Sequence, residues 1–163
     1  MIVIVIIALI YTLALSKLQN FNTTNNKPDL QHLKEYLLSY LDVDGHKARL
    51  LCFDTCEECY VLVDGEKKKK IESFFDSSIE RYRYTQDEGA TRLENEIYFT
   101  EDGIEHSVCF SYEINKEKVG DQIFVLYKNK AYDFTTYFTP TPTYNSLHEL
   151  TQTKEQFFQK VMQ

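Results

Sequence analysis

Apolar and polar positions follow two different periods along this chain. After an uncharged apolar run over residues 1–15, a stripe of apolar side chains recurs at intervals of three or four residues. Its members are Leu30, Leu33, Leu37, Tyr40 and Leu41. This spacing predicts an amphipathic helix over residues 29–42 with one buried face. From residue 46 onward the apolar runs are shorter, and glycines separate them, which predicts antiparallel strands joined by turns.

Six segments carry the strand pattern. They are residues 46–53, 59–64, 92–99, 104–114, 122–128 and 131–138. Residues 71–86 fit both a helix and a strand, and both alternatives stay open. The run Lys67–Lys70 follows an Asp-Gly pair and is interpreted as a solvated turn, with a contact to anionic lipid or to a neighbouring subunit as the alternative.

The end of the chain predicts a second helix. Ser146 and Glu149 have the spacing of a capping box, and apolar residues follow at helical intervals. The fold class that these patterns predict is α+β. It consists of an N-terminal hydrophobic helix, an amphipathic helix packed on a mostly antiparallel β-sheet, and a short C-terminal helix.

The first fifteen residues, MIVIVIIALIYTLAL, carry no charge. As an α-helix they would rise about 22 Å, which is less than the hydrocarbon core of a bilayer at about 30 Å. A cleaved signal peptide would need a basic region before Ile2, and a buried core segment is hard to reconcile with Lys17 and the polar linker after it. The favoured interpretation is a membrane helix whose beginning lies upstream of Met1.

The sequence MIVIVIIALIYTLALSKL resembles the N-terminal stem of type IV pilins and type II secretion pseudopilins. In that family a Gly-Phe-(Thr/Ser)-Leu-x-Glu-Leu processing segment runs directly into an aliphatic helix. The basic leader, the glycine, the phenylalanine and the acidic fifth residue of such a segment would all precede Met1. We therefore expect the reading frame to extend upstream; otherwise the protein is not processed as a pilin.

The resemblance implies a domain organisation and a location. Residues 1–19 would be a hydrophobic stem, residues 20–28 a polar break, and residues 29–163 a globular pilin-like head. The protein would cross the bacterial inner membrane once, with its head in the periplasm or in a surface fibre. Its partners would be other pilin-like subunits and inner-membrane assembly proteins. The stem positions implied to pack against neighbouring subunits are Ile4, Ala8, Tyr11 and Leu15.

Composition restricts the function further. The formal net charge of −7 argues against nucleic acid as the main ligand. No carboxylate pair, nucleophile motif or phosphate-binding glycine loop stands out, so the sequence predicts no enzyme, no catalytic residue and no cofactor. The leading hypothesis is a pilin-like assembly subunit. The alternative is a membrane-tethered periplasmic binding or sensor domain that does not polymerise.

Four cysteines are the remaining candidate chemistry. Cys52, Cys56 and Cys59 lie in the segment CFDTCEEC, and Cys109 stands alone in a predicted strand. Four thiolates could bind zinc, but zinc sites usually contain two close ligand pairs. Outside the cytoplasm structural disulfides are the default. We predict that Cys56 and Cys59 pin a hairpin turn and that Cys52 meets Cys109 across strands.

Overall fold

The structure is a computed structural model that describes residues 28–41, 45–100, 102–137 and 139–161. The helices of this part of the chain are α1 (Leu33–Leu38) and α2 (Leu147–Val161). Its strands are β1 (Lys47–Phe53), β2 (Glu58–Val63), β3 (Glu66–Glu72), β4 (Glu80–Thr85), β5 (Gly89–Arg92), β6 (Glu96–Phe99), β7 (Glu105–Asn115), β8 (Phe124–Tyr127), β9 (Lys130–Asp133) and β10 (Thr143–Tyr144).

The strands form two five-stranded sheets rather than the expected single sheet. The first sheet has the order β3-β2-β1-β7-β6, and the second has the order β10-β9-β8-β4-β5. All the pairings between these strands are antiparallel. The predicted α+β fold class is therefore wrong for the described residues, which form a mostly β structure with two helices. Its predicted N-terminal hydrophobic helix lies outside them.

The amphipathic helix predicted over residues 29–42 is much shorter than expected. The side chain of Asp29 accepts a hydrogen bond from the backbone N–H of His32 at 2.8 Å, and this contact holds the first residues in a turn. At the other end the backbone N–H of Tyr40 donates to the carbonyl of Leu37 at 3.1 Å, which is the tighter spacing of a closing turn. The helix that remains, α1, still buries Leu33 and Leu37 completely.

The strand predictions succeed in the centre of the first sheet and fail where the chain changes sheets. Residues 46–53, 59–64 and 104–114 correspond closely to β1, β2 and β7. The single strand predicted over 92–99 is divided between two sheets. Its first residues extend the pairing of β5 with β4, since the backbone N–H of Leu93 donates to the carbonyl of Arg81, and β6 pairs with β7 of the first sheet. The predicted strand 131–138 ends at Asp133 in β9.

The lysine run forms an edge strand rather than a turn. Lys68 and Lys70 lie in β3, and their ammonium groups pair with Glu66 at 2.8 Å and with Glu58 at 2.7 Å. Charged side chains of this kind are common on sheet edges, where they discourage pairing with another chain. The ambiguous segment 71–86 contributes the end of β3 and all of β4.

The main core contains side chains from both sheets and from α1. Leu50 and Phe110 of the first sheet and Val125 of the second are fully buried in this cluster, together with the leucines of α1. On the opposite face of the second sheet, Phe124 packs with Leu150 of α2. The second sheet therefore lies between the first sheet and α2, and the main core fills the space between the two sheets.

The predicted C-terminal helix is confirmed. The hydroxyl of Ser146 accepts a hydrogen bond from the backbone N–H of Glu149 at 3.1 Å, while the Glu149 carboxylate accepts one from the N–H of Asn145 at 2.9 Å. The helix is held to β9 by a salt bridge of 2.8 Å between Lys154 and Asp133, whose side chain is 1% exposed. This buried ion pair fixes α2 to the second sheet.

The predicted single pass through an inner membrane is contradicted. The longest helix in the described ranges, α2, has 15 residues, and no helix there combines the length and apolar character that crossing a bilayer requires. The predicted stem, residues 1–19, lies outside the described residues.

Candidate functional site

The four predicted disulfide cysteines lie together at the hairpin between β1 and β2. Cys52 bonds to Cys59, with their Cα atoms 4.0 Å apart, and Cys56 bonds to Cys109 of β7, with Cα atoms 5.7 Å apart. Disulfide bonding of all four residues is therefore confirmed. All four sulfur atoms form disulfide bonds, so the structure leaves no thiolate for the alternative of a four-thiolate zinc site. Residues 52–59 are called the disulfide-locked hairpin below.

The predicted pairing of the cysteines is wrong, and strand register explains why. Cys52 and Cys59 are directly opposite each other in the antiparallel ladder of β1 and β2. Cys52 faces Phe110 in β7, and the register between these strands shifts at the next position, which leaves Cys109 free to reach the turn. Cys56, with a φ of 66°, lies in that turn. Sequence spacing alone does not contain this register.

The disulfide-locked hairpin is also bonded directly to β7. The backbone N–H of Asp54 donates to the carbonyl of Ser107 at 2.7 Å, and the Asp54 carboxylate accepts from the N–H of Ser107 at 3.2 Å. The other carboxylate oxygen lies 3.0 Å from Nδ1 of His106. Asp54 has a φ of 51°, a conformation that costs energy in a residue with a side chain. The hydrogen bonds to β7 and the two disulfides hold Asp54 in this conformation.

An aromatic cluster lies beside the hairpin on the outer face of the first sheet. The Phe53 ring is 5.8 Å from that of Tyr60, 5.3 Å from that of Tyr98 and 5.2 Å from that of His106, measured between centroids. The rings cover buried aliphatic residues, including Leu51, which is 1% exposed. The aromatic side chains therefore shield these aliphatic residues from water.

A cavity of about 310 Å³ opens between the disulfide-locked hairpin and this cluster, and we call it the hairpin cavity. Three carboxylates of the hairpin line it, those of Asp54, Glu57 and Glu58. Glu58 bonds to Lys70, and this hydrogen bond lowers the pKa of the Glu58 carboxyl. Among the described residues no cation pairs with the carboxylate of Glu57. The cavity is therefore rich in negative charge.

The hairpin cavity already contains one cation. Nζ of Lys67 lies 4.7 Å above the centroid of the Tyr60 ring, a distance at which an ammonium is attracted to the negative face of an aromatic ring. Burial raises the pKa of the Tyr60 hydroxyl, so the ring remains neutral. The face of the Tyr60 ring therefore already attracts an ammonium group of the chain itself.

A second cavity of about 390 Å³ lies where β4 of one sheet approaches β7 of the other. The guanidinium groups of Arg49 and Arg81 converge on the carboxylate of Glu96 at 3.5 and 3.6 Å. Arg81 is 5% exposed, and this burial lowers its pKa. Burial also raises the pKa of Asp121 on the same wall. Three arginines face three carboxylates here, so charge is balanced and the group connects the two sheets.

The sequence identified the cysteines but missed the residues around them. Phe53 directly follows the first cysteine of the cluster and Tyr60 the third, and the acids lie between the cysteines, so the segment CFDTCEECY contains a detectable signal. The contributions of Tyr98 and His106 come from β6 and β7 and depend on strand pairing. The predicted stem residues Ile4, Ala8, Tyr11 and Leu15 lie outside the described residues.

The described residues contain no cluster of three or more side chains suited to hold a metal ion. Comparison of the chain with models of protein families, with curated proteins and with solved structures finds no match. The argument about function therefore depends on this chain's own residues.

Proposed function

We propose that this protein is a pilin-like assembly subunit, in which the apolar N-terminal segment packs against neighbouring subunits and the β-rich head is presented on it. The resemblance of residues 1–18 to pilin and pseudopilin stems motivates the proposal. The observation that carries it is the way in which the first described residues are fixed to the head. The partners would be other subunits of the same kind.

The N-terminal end of the head is anchored in its core. Leu30 is 3% exposed, and Leu33 and Leu37 are fully buried. The backbone N–H of Thr141 donates to the carbonyl of Gln31 at 2.8 Å, which connects this segment to the region before β10. Burial of these leucines stabilises the head itself. In a subunit that assembles through its N-terminal segment, it would also give the head a defined orientation to its neighbours.

Lys34 contributes a second attachment in the same segment. Its side chain is buried, its ammonium donates to the backbone carbonyl of Thr136, and it lies 5.6 Å from the centroid of the Phe134 ring. Burial lowers the pKa of Lys34, and the nearby carboxylate of Asp133 opposes that shift. A charged group is thus buried to attach α1 to the segment that follows β9.

Substitution of Ala8 tests assembly. With pilin-like partners co-expressed, wild type should enter sheared fibre fractions and crosslink to those partners. Ala8→Asp should be lost from both, because a charge disrupts close packing of apolar segments. Gln152→Asp, which places the same charge on an exposed position of α2, is the matched control and should assemble normally.

Absence of wild-type protein from these fractions would overturn the proposal. The second candidate, a binding domain that does not polymerise, would then take its place. The hairpin cavity is the specific observation that favours that second function.

A further inference from the structure

The disulfide-locked hairpin is more rigid than a connection between two strands requires. Its ends are joined by Cys52–Cys59, its middle is joined to β7 by Cys56–Cys109, and Asp54 adds backbone hydrogen bonds to the same strand. Rigid loops lose little conformational freedom when a ligand binds, so binding energy is not spent on ordering them. The residues that this framework holds in place are the carboxylates of the hairpin cavity.

The walls of the hairpin cavity have the two components that recognise an organic ammonium ion. Aromatic faces attract cations that keep part of their apolar surface, and carboxylates add charge attraction. Phe53, Tyr60 and His106 provide the rings, and Asp54, Glu57 and Glu58 provide the carboxylates. Lys67 is the one cation among the residues that line this cavity. The negative charge is therefore in excess, although Lys70 offsets part of it at Glu58.

The position of Lys67 shows which ligand chemistry the walls accept. Its ammonium lies 4.7 Å over the Tyr60 ring, while its backbone belongs to the exposed edge strand β3. An exposed lysine side chain of this kind has many alternative rotamers and can leave at small cost. A ligand ammonium that took the same place over Tyr60 would lie in a cavity whose lining carries three carboxylates.

We propose that the hairpin cavity is a binding site for a primary or quaternary ammonium group, and that Lys67 occupies it in the absence of ligand. Tyr60 provides the ring face, and the carboxylates that line the cavity make its surroundings negative. The group could be the lysine side chain of a partner protein or a small free ammonium compound. This inference goes beyond assembly, because it concerns a site on the head of a single chain.

The arginine cavity between the sheets is a weaker candidate for a ligand site. Its guanidinium groups already share the carboxylate of Glu96, and the charges along its walls are balanced. That arrangement is explained by its role in connecting the sheets. The hairpin cavity has no comparable structural explanation for the carboxylate of Glu57.

Titration of the purified full-length protein in detergent tests the site. The probes are N-acetyl-lysine methylamide, tetramethylammonium chloride and N-acetyl-norleucine methylamide, which lacks the ammonium group but keeps the apolar chain. Chemical shifts of the aromatic residues report binding. At millimolar concentration the lysine probe or tetramethylammonium should bind saturably, and the norleucine probe should not.

Substitutions of residues that line the cavity test whether the ammonium group binds there. Replacement of the ring in Tyr60→Leu should weaken ammonium binding about 5-fold or more, within the range for a partly desolvated cation–ring contact, whereas Tyr60→Phe should bind like wild type. Glu57→Gln should weaken binding, and Glu88→Gln, an exposed acid in the turn between β4 and β5, should not. Lys67→Gln should strengthen binding about 3- to 10-fold because it removes the internal competitor.

Stronger ammonium binding by Lys67→Gln distinguishes a ligand site from a purely structural contact. Saturable binding of the lysine probe alone would identify a protein side chain as the ligand source, and equal binding of tetramethylammonium would identify a free ammonium compound. Failure of both to bind wild type and Lys67→Gln would overturn the inference, as would equal binding of the norleucine probe. The assay uses unassembled protein, so its result is independent of the fibre experiment.

Discussion

Removal of one disulfide at a time should destabilise the protein to different degrees. Cys56 and Cys109 are 53 positions apart in sequence, whereas Cys52 and Cys59 are 7 apart. A disulfide stabilises a protein largely by restricting the unfolded chain, and the effect grows with the length of the loop that it closes. The loop-entropy relation gives about 4.2 kcal/mol for the longer loop and about 2.4 kcal/mol for the shorter one.

The comparison uses two double variants, Cys56→Ala/Cys109→Ala and Cys52→Ala/Cys59→Ala. Both remove a pair of buried sulfur atoms, since the four cysteines are at most 8% exposed, and the loss of packing is therefore similar in the two variants. The first variant should lose about 1.8 kcal/mol more free energy of unfolding than the second.

Equilibrium urea unfolding under oxidising conditions measures this difference. Mass mapping of the unreduced protein must show that the remaining disulfide is intact in each variant. The slope of the unfolding free energy against urea concentration must be the same in both variants, which shows that they expose similar surface on unfolding. Equal losses of unfolding free energy in the two variants, or a larger loss in Cys52→Ala/Cys59→Ala, would refute the entropic reasoning. Cross-linked peptides joining Cys56 to Cys59 in the wild type would refute the pairing itself.

Two further predictions concern buried charges. Asp133→Asn should lower the free energy of unfolding by about 3 to 5 kcal/mol in thermal or urea unfolding, because Lys154 loses its buried partner, whereas Lys70→Gln at an exposed pair should cost about 1 kcal/mol or less. Burial raises the pKa of Asp121 above its ordinary value, so its protonated form stabilises the fold below that value, and this contribution is lost as the pH rises through the raised pKa. Asp121→Asn should therefore gain stability relative to wild type as the pH rises above the ordinary pKa of an aspartyl carboxyl, and a difference that stays constant with pH would contradict this assignment.

Local patterns predicted the elements whose partners are close in sequence. The strands β1 and β2 were found because apolar runs flank a turn, and α2 was found because Ser146 and Glu149 mark its start. The edge strand β3 was missed, because four consecutive lysines resemble a solvated loop and its strand character comes from pairing with β2. The helix over 29–42 was predicted too long, because the periodicity of leucines does not reveal where side chains such as Asp29 close a turn.

The amino-acid sequence by itself determined the disulfide chemistry of the cysteines, the antiparallel character of the strands and the existence of the C-terminal helix. Tertiary structure alone decided which cysteines pair, how the strands divide between two sheets, and that Tyr98 and His106 join the rings beside the hairpin. The physical reason is that hydrophobic periodicity is a local property. Strand register and contacts between sheets depend on segments far apart in the chain, whose mutual packing sets them.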